Sequence, residues 1–224
     1  MVLASVRCPA PACGAVFEIA VERFGRNVYC LECGRRMTAK PVGVEEALER
    51  REAEGRSGGG RDGGLTVERL PFRVLVDNVR SLWNVGSMFR TADAFGVEEL
   101  ILTGITGTPP RREITKTALG AENSVRWIYR ADPLAALADL RAAGFVPVAL
   151  EAAANAVDVD SFAWPERVAL VVGNEVVGVS SPVLEACEHH VRIPMRGVKE
   201  SLNVAVAFGV AAGAVAACLT SRES

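Results

Sequence analysis

Short apolar runs alternate with longer mixed segments over the C-terminal part of the chain, from Leu70 onward. Short runs rich in Val, Leu and Ile are typical of buried strands, and the mixed segments between them are typical of helices. The predicted strands are Phe72–Val76, Glu99–Leu102, Phe145–Leu150, Val168–Val172 and Val191–Ile193, and the predicted helices are Val85–Phe95, Pro133–Ala143 and Pro182–Cys187. This alternation favours an α/β fold with a mostly parallel sheet, in which ligands bind at the carboxyl ends of the strands.

The last predicted helix is apolar on every side. Leu202–Leu219 carries Ala, Val, Gly, Phe and Cys on each helical face and no charge, which is typical of a helix buried in a core or against another subunit. Polar residues precede and begin this helix, and they predict a site at its start: Lys199, Glu200, Ser201 and Asn203. Ser201 would alternatively serve as the N-cap. Because the helix is rich in Ala and Gly and follows a polar loop, we do not expect it to cross a membrane.

The chain divides into three parts by composition. Residues 1–42 contain Cys, Gly and Pro at short intervals. Residues 43–69 begin with a charged stretch that can form a helix and continue into RSGGGRDGG. A Gly-rich tract cannot bury apolar area, so we expect a flexible linker here. Residues 70–224 contain the alternating strands and helices and form the main domain.

Four of the six cysteines form two close pairs, Cys8 with Cys13 and Cys30 with Cys33. Each pair ends in a turn marked by glycine, and the spacing fits a tetrahedral zinc site with four thiolate ligands. Zinc would also stabilise a segment that is too short to build its own core. We therefore predict a zinc ribbon over residues 1–42. Unrelated free thiols, or a redox pair at Cys30 and Cys33, are the alternatives.

Charge distinguishes the predicted ribbon from the rest of the chain. The 224 residues carry a net charge of −2, whereas residues 1–42 hold six basic and three acidic side chains and carry +3. A small basic module on a linker can contact phosphates and raise the local concentration of a ligand. A structural or protein-docking role is the alternative. The first residues show no basic segment followed by an apolar one, so we expect a cytoplasmic protein.

Three polar clusters follow predicted strands, at Asp77–Arg90, Gly173–Ser180 and Pro194–Asn203. Taken singly, each has an ordinary structural explanation, such as a solvated arginine or a helix cap. Together and in this order they resemble the motifs of the SpoU (TrmH-like) RNA ribose 2′-O-methyltransferases of the SPOUT superfamily. The matching stretches are NVGSMFR (84–90), LVVGNEVVGVS (170–180) and IPMRGVKESLNVAVA (193–207), and KTALGAENSVRW (116–127) resembles the family's substrate-side segment.

The resemblance covers residues 71–220 and implies a fold and a cofactor. The implied fold is a Rossmann-like, mostly parallel sheet whose C-terminal part forms a trefoil knot, and the implied assembly is a homodimer. The implied cofactor is S-adenosylmethionine (SAM), held in the knot. By resemblance, the SAM-binding positions are Gly173, Ile193 and Leu202, with Thr103, Gly104 and Met195 as neighbours.

The resemblance also implies a catalytic constellation. Its members are Asn84, Arg90, Glu175, Ser201 and Asn203. A guanidinium stays protonated, so we expect Arg90 to position the ribose 2′-hydroxyl and to favour its alkoxide electrostatically. Asn84, Ser201 and Asn203 are expected to orient Arg90 and the nucleotide. Glu175 is expected to hold the loop geometry.

RNA contacts are predicted for residues 108–130. This stretch holds five basic and two acidic side chains and carries +3. We expect Arg111, Arg112 and Lys116 to contact phosphates, the alternative being a solvated basic surface. Trp127 and Tyr129 could stack on a base or pack in the core, and packing is the favoured interpretation.

The sequence therefore predicts SAM-dependent methylation of a ribose 2′-hydroxyl in structured RNA, with transfer RNA slightly favoured over ribosomal RNA. No catalytic metal is expected, and the adjacent His189 and His190 are expected to be strand residues rather than a base. A catalytically inactive RNA-binding module of the same fold is an alternative that the intact motifs disfavour. An NAD-dependent enzyme is another, disfavoured because no Gly-x-Gly-x-x-Gly follows the first strand.

Overall fold

The computed structural model describes residues 3–8, 10, 12–20, 27–30, 32–38, 57–60 and 68–223. The chain forms two compact units, Met1–Arg51 and Glu52–Ser224. The boundary between them falls within the stretch that the sequence predicts as a linker. Each unit has a hydrophobic core of its own.

The first unit contains two antiparallel hairpins. Its strands are β1 (Leu3–Arg7) with β2 (Val16–Ala20), and β3 (Asn27–Tyr29) with β4 (Arg36–Thr38). Among the residues of this unit that the structure describes, Val6, Val28 and Met37 are buried together with Cys8 and Cys30. A unit of about 50 residues supplies little hydrophobic stabilisation, and folds of this size usually need a metal or disulfides as well.

The second unit is organised around an eight-stranded sheet with the strand order β10-β12-β9-β11-β6-β7-β8-β5. The strands are β5 (Ser57–Gly58), β6 (Leu70–Asp77), β7 (Val97–Thr103), β8 (Arg126–Arg130), β9 (Val146–Leu150), β10 (Val157–Asp158), β11 (Val168–Val172) and β12 (His189–Arg192). All neighbours pair in parallel except β5, which is antiparallel to β8. The predicted mostly parallel sheet is confirmed, and the trefoil knot stays a prediction.

Helices cover both faces of this sheet. They are α1 (Leu82–Ala94), α2 (Arg112–Ala118), α3 (Ala121–Ser124), α4 (Pro133–Ala142), α5 (Ser181–Ala186) and α6 (Val204–Glu223). On one face, Leu137 and Leu140 of α4 pack with Leu75 of β6 and Val171 of β11. The alternate residues of these strands, such as Val74, are also fully buried, so both faces of the sheet are covered.

Sequence signals define the start of α4 well. The Asp132 carboxylate accepts a hydrogen bond from the Leu134 N–H at 2.8 Å, and Pro133 occupies the first turn. Both features are favoured at helix N-termini, because the cap satisfies a free N–H and proline lacks one. The helix predicted over Pro133–Ala143 is observed over Pro133–Ala142.

The stretch 108–130 is more ordered than the sequence suggests. It contains α2, α3 and the strand β8, which pairs in parallel with β7. Trp127 and Tyr129 are buried: the Trp127 ring packs edge-on against Phe89 at 6.5 Å, and the Tyr129 hydroxyl donates to the Gly104 carbonyl at 2.8 Å. The two aromatic residues therefore pack in the core, as favoured, and are not available to stack on RNA.

Part of the predicted linker is also structured. Ser57 and Gly58 form the edge strand β5, and the Gly60 N–H donates to the Ser124 carbonyl at 3.0 Å. A Cβ on Gly59 would lie 1.8 Å from the Val125 carbonyl oxygen. For these residues the prediction of a flexible tether is wrong, because glycine here permits close backbone packing. Residues 43–56 and 61–67 of the linker lie outside the described residues.

Helix α6 is buried along one side. Phe208, Ala211 and Val215 are fully buried, whereas Val206 and Val210 keep 53% and 43% of their surface exposed. By length and composition the helix could cross a membrane, but one such helix is weak support, since helices in protein cores have the same features. The predicted burial holds for the inner side, and the outer side presents an apolar stripe.

Candidate active site

A cavity of about 310 Å³ lies at the carboxyl ends of β9, β11 and β12, which are neighbours in the sheet. Its size is at the lower end of the range of small-molecule sites. Six residues predicted from the sequence line it: Gly173, Glu175, Ile193, Met195, Ser201 and Leu202. The polar loop before α6 and the loop after β11 therefore meet at one cavity, as the position of ligand sites in parallel sheets predicts.

The loop after β11 folds back tightly on Gly173. A Cβ on this residue would lie 2.1 Å from the Val179 nitrogen and 2.2 Å from the Gly178 carbonyl carbon. The backbones of Asn174 and Gly178 exchange two hydrogen bonds of 2.9 Å, and the Asn174 side chain donates to the Asn78 carbonyl at 2.8 Å. The cavity wall is therefore built by the chain itself, and glycine at 173 is required by this fold-back.

The carboxyl end of β9 is the part of the cavity that the sequence did not reveal. Leu150, Glu151 and Ala152 line it. The Glu151 carboxylate accepts the Val179 N–H at 2.9 Å and the Ala152 N–H at 3.2 Å, so it ties the end of β9 to the loop after β11. The available signal was a glutamate directly after a predicted strand, where ligand sites of parallel sheets occur.

Glu175 connects the loop after β11 to the start of α1. Its carboxylate accepts the Arg80 N–H at 3.0 Å, the Ser81 N–H at 2.9 Å and the Asn84 side-chain amide at 3.0 Å. Partial burial acts to raise the pKa of Glu175, but these hydrogen bonds outweigh it and hold the pKa below its usual value. The carboxylate therefore stays ionised and holds two motifs together.

Asn84 extends this network to the third motif. The Asn203 side-chain amide donates to the Asn84 side-chain oxygen at 3.1 Å, and the Asn203 oxygen accepts the Ala205 N–H at 2.9 Å. Asn203 therefore caps α6, so the alternative role of Ser201 as the N-cap is wrong. Glu175, Asn84 and Asn203 form one chain of hydrogen bonds across three segments that are distant in sequence.

Arg90 lies apart from this network within one chain. Its exposed side chain lines a second cavity of about 490 Å³ between α1 and α2, together with Thr91, Lys116 and Thr117. The two helices approach closely here, because a Cβ on Gly86 would lie 1.9 Å from the Thr117 hydroxyl. Arg90 and the candidate RNA-binding residue Lys116 thus share one groove.

Thr103 and Gly104 are not among the residues that line the cavity after β11. Thr103 ends β7 and Gly104 follows it, and β6 separates β7 from β11 in the sheet. The Thr103 hydroxyl is buried and donates to the Val76 carbonyl at 3.1 Å, and Gly104 has a positive φ and packs against the Asn78 side chain. The structure thus gives both residues a role in packing and does not bring them to the other candidate cofactor residues.

The candidate RNA-binding residues lie at or within α2, with Lys116 in its last turn. Arg111 precedes this helix, Arg112 begins it, and both are exposed, as is Lys116. The Lys116 ammonium lies 6.0 Å from the centre of the Trp83 ring, which is half-exposed at the start of α1. These three cations face solvent and are free to approach phosphates.

The four cysteines of the first unit form a compact cluster. All four sulfurs lie within 4.8 Å of one another, with 3.6 Å between Cys8 and Cys33 and 3.7 Å between Cys13 and Cys30. Tetrahedral zinc with Zn–S bonds of about 2.3 Å sets its sulfurs about 3.8 Å apart. The donor set and its geometry therefore fit a zinc ion.

The electrostatics of the cluster also favour a cation. N–H groups of the turn, that of Cys33 foremost, lower the pKa of Cys30 to about 7. The Ala10 N–H lowers the pKa of Cys8, yet burial and the neighbouring thiols together raise it to about 12. Sulfurs this close cannot all ionise unless a positive ion compensates them.

The fold and the site define an α/β protein of the SPOUT methyltransferase class. A model of the SpoU rRNA Methylase family matches residues 71–213, and the chain belongs to this family. The 23S rRNA (guanosine(2553)-2′-O)-methyltransferase RlmP of Bacillus subtilis is 34% identical over 137 residues, which are 61% of this chain and 54% of that protein. The chain thus spans about half the length of this curated relative.

Two solved structures share the fold. The TrmH/SpoU tRNA modifying enzyme of A. aeolicus is 26% identical with a TM-score of 0.64, over 81% of this chain and 87% of that one. An AdoMet-bound rRNA methyltransferase from Sinorhizobium meliloti is 30% identical with a TM-score of 0.63, over 71% of this chain and 60% of that one. The similarity thus extends over most of the second unit.

Proposed function

We propose that the chain transfers the methyl group of SAM to a ribose 2′-hydroxyl in structured RNA. The observation that carries the proposal is the hydrogen-bonded chain of Glu175, Asn84 and Asn203 beside the cavity that Gly173 and Leu202 line. Each motif contributes a residue to one continuous site. The AdoMet-bound relative supports the cofactor, and the relative named as a 2′-O-methyltransferase supports the reaction.

The cofactor supplies a methyl group that its sulfonium already activates, so the protein has mainly to align the hydroxyl. Arg90 would hold the 2′-hydroxyl and its neighbouring phosphate, and its charge would stabilise the forming alkoxide while the hydroxyl proton passes to solvent water. The methyl–sulfonium bond breaks as the methyl–oxygen bond forms, so the cofactor leaves as a neutral thioether. Histidine is not needed as a base: His189 and His190 lie in β12, and the His190 ring contacts Asn155 at 2.8 Å and the Leu184 carbonyl at 3.0 Å.

The homodimer belongs to the same proposal. The apolar stripe at Val206 and Val210 would be covered by a second subunit. Arg90 does not line the cavity of its own chain, so a dimer would give it access to the cavity of the partner subunit. An assembly of two chains therefore accounts for both observations.

Among structured RNAs, we propose transfer RNA rather than ribosomal RNA as the substrate. It is favoured by the A. aeolicus tRNA modifying enzyme, whose chain is similar over most of its length. The test is methyl transfer from labelled SAM to transfer and ribosomal RNA purified from cells that lack the gene, followed by mapping of 2′-O-methyl sites. Transfer to neither RNA would contradict the proposal and support the inactive RNA-binding alternative.

Gly173→Ala is expected to weaken SAM binding at least about ten-fold, because the new methyl group displaces the loop that forms the cavity wall. Isothermal titration of SAM into each variant measures the effect, with thermal unfolding to verify that the protein is folded. Gly197→Ala is the matched control, since no atom lies within 4 Å of a Cβ at that position. Equal affinity of the two folded variants would exclude this cavity as the cofactor site.

Charge reversal at Arg111 and Arg112 is expected to weaken RNA binding. It is also expected to lower the magnitude of the slope of log K against log salt by roughly one to two, because a protein that contacts fewer phosphates releases fewer counterions when it binds. The measurement is a titration of labelled transfer RNA at several salt concentrations. Arg167→Glu is the control, since Arg167 is exposed next to the amino end of β11. An unchanged salt slope would count against this surface.

We also infer that the cysteine cluster binds one zinc ion per chain. Cys8, Cys13, Cys30 and Cys33 would hold it, and the ion would stabilise the two hairpins. The four cysteine sulfurs would then fill all four coordination positions of the zinc ion, which fits a structural rather than a catalytic zinc. We call residues 1–42 the zinc ribbon from here on.

A further inference from the structure

The zinc ribbon exposes an aromatic side chain beside an arginine. Tyr29, in β3, keeps 66% of its surface exposed. Its cross-strand partner in the β3–β4 register is Arg36, which is also exposed. Directly paired residues on one face of a hairpin lie close enough to act on a common ligand.

The register holds this pair on the outside. Val28 and Met37 are the neighbouring cross-strand pair, and both are buried in the ribbon core. Because successive side chains of a strand point to opposite faces, Tyr29 and Arg36 must face away from that core. The Cys30 N–H donates to the Arg35 carbonyl at 2.8 Å, which closes the hairpin one residue beyond the pair.

This position limits the freedom of Tyr29. It is followed at once by Cys30, whose sulfur belongs to the cysteine cluster. A tyrosine on a hairpin anchored in this way binds a flat ligand with little loss of conformational entropy. Two rotatable bonds and a rigid ring make it a suitable stacking platform.

The positive charge of the zinc ribbon favours RNA as the ligand of this surface. The ribbon carries +3, with six basic and three acidic side chains, although the whole chain carries −2. Arg7, Arg35 and Arg36 are exposed among the residues of the ribbon that the structure describes, and Glu32 is an exposed acid there. An exposed aromatic ring next to guanidinium groups is the combination that binds unpaired RNA, through base stacking and phosphate contacts.

We propose that the surface formed by Tyr29 and Arg36 binds an unpaired segment of the substrate RNA. Tyr29 stacks on a base, and Arg36 contacts an adjacent phosphate. The inference rests on the proposed function, which supplies RNA as the substrate. It assigns the ribbon a direct part in substrate binding, in addition to the fold support that zinc provides.

The test uses the whole 224-residue chain loaded with zinc and a short labelled single-stranded RNA of mixed sequence, with a duplex of the same sequence for comparison. Tyr29→Ala is expected to weaken binding of the single strand roughly 5- to 100-fold, the range seen when a base-stacking aromatic is removed. Tyr29→Trp is expected to preserve binding, because it keeps a flat ring. Arg36→Gln is expected to lower the salt slope by about 0.7.

Val16→Ala is the matched control, since Val16 is 53% exposed on the other hairpin of the ribbon. Wild-type affinity in both Tyr29→Ala and Arg36→Gln would overturn the inference and indicate a surface for a protein partner. Equal weakening of single strand and duplex by Tyr29→Ala would also overturn it, because a paired base cannot stack on the ring. SAM binding and methyl transfer by the unmodified protein test the proposed function separately.

Discussion

Arg90→Ala is expected to bind SAM within about two-fold of the parent protein and to lower methyl-transfer turnover at least about 100-fold, the effect of removing a group that stabilises transition-state charge. SAM affinity is expected to survive because the proposed role of Arg90 is to hold the ribose 2′-hydroxyl, whereas other residues line the cofactor cavity. Turnover is expected to fall because the guanidinium would no longer hold the 2′-hydroxyl or favour its alkoxide. Single-turnover transfer from labelled SAM measures the second effect, and calorimetry measures the first.

Two further variants define the role of Arg90. Arg167→Ala removes an exposed arginine whose guanidinium lies 4.3 Å over the Phe145 ring, next to the amino end of β11, and it is expected to keep its turnover. Arg90→Lys keeps the charge but loses the planar fork, so partial activity is expected. Near-wild-type turnover of Arg90→Ala would refute the assignment.

The strands of the second unit could largely be predicted, because a continuous run of apolar residues marks each buried strand in the local sequence. Val168–Val172 is observed with its predicted bounds, since β11 lies in the sheet interior and every residue is apolar and buried. β8 could not be predicted in the same way. Its sequence RWIYR places three large residues between two arginines, and the burial of Trp127 comes from a contact with Phe89 of α1, which is far away in sequence.

The geometry of the candidate site also depends on contacts between residues that are distant in sequence. The motifs identify Asn84, Glu175 and Asn203, but the hydrogen bonds that join them span 91 and 119 positions and depend on tertiary structure. Glu151 belongs to none of the motifs, and its place in the site follows from the pairing of β9 with β11 in the sheet. Thr103 is expected near the cofactor by resemblance, yet β6 separates the end of β7 from the end of β11, and strand order decides which strand ends meet.

Helix caps are a further case in which local sequence leaves a choice. Ser201 and Asn203 are both favoured cap residues two positions apart, and α6 can begin after either. The structure selects Asn203, because its amide can cap the helix and donate to Asn84 at the same time. A single residue therefore links the helix start to the site, which no local propensity encodes.

Removal of zinc is expected to unfold the zinc ribbon while the second unit stays folded. The ribbon is short, and the core residues that the structure describes pack around the cysteines, so metal binding is expected to supply most of its stability. Protein prepared without chelators is expected to contain about one zinc per chain. After chelation, limited proteolysis with mass spectrometry is expected to cut within residues 1–42, and SAM titration is expected to be unchanged.

Cys30→Ser tests the same claim without a chelator, and Cys218→Ser is its control because Cys218 lies in α6, outside the cluster. Only the first is expected to lose zinc and expose the ribbon to protease. SAM binding should survive in both, because the cavity after β11 is lined by residues of the second unit, from Leu150 to Ala207. A zinc-free protein that resists cleavage would mean that the hairpins fold on their own core, and the four sulfurs would then need another explanation.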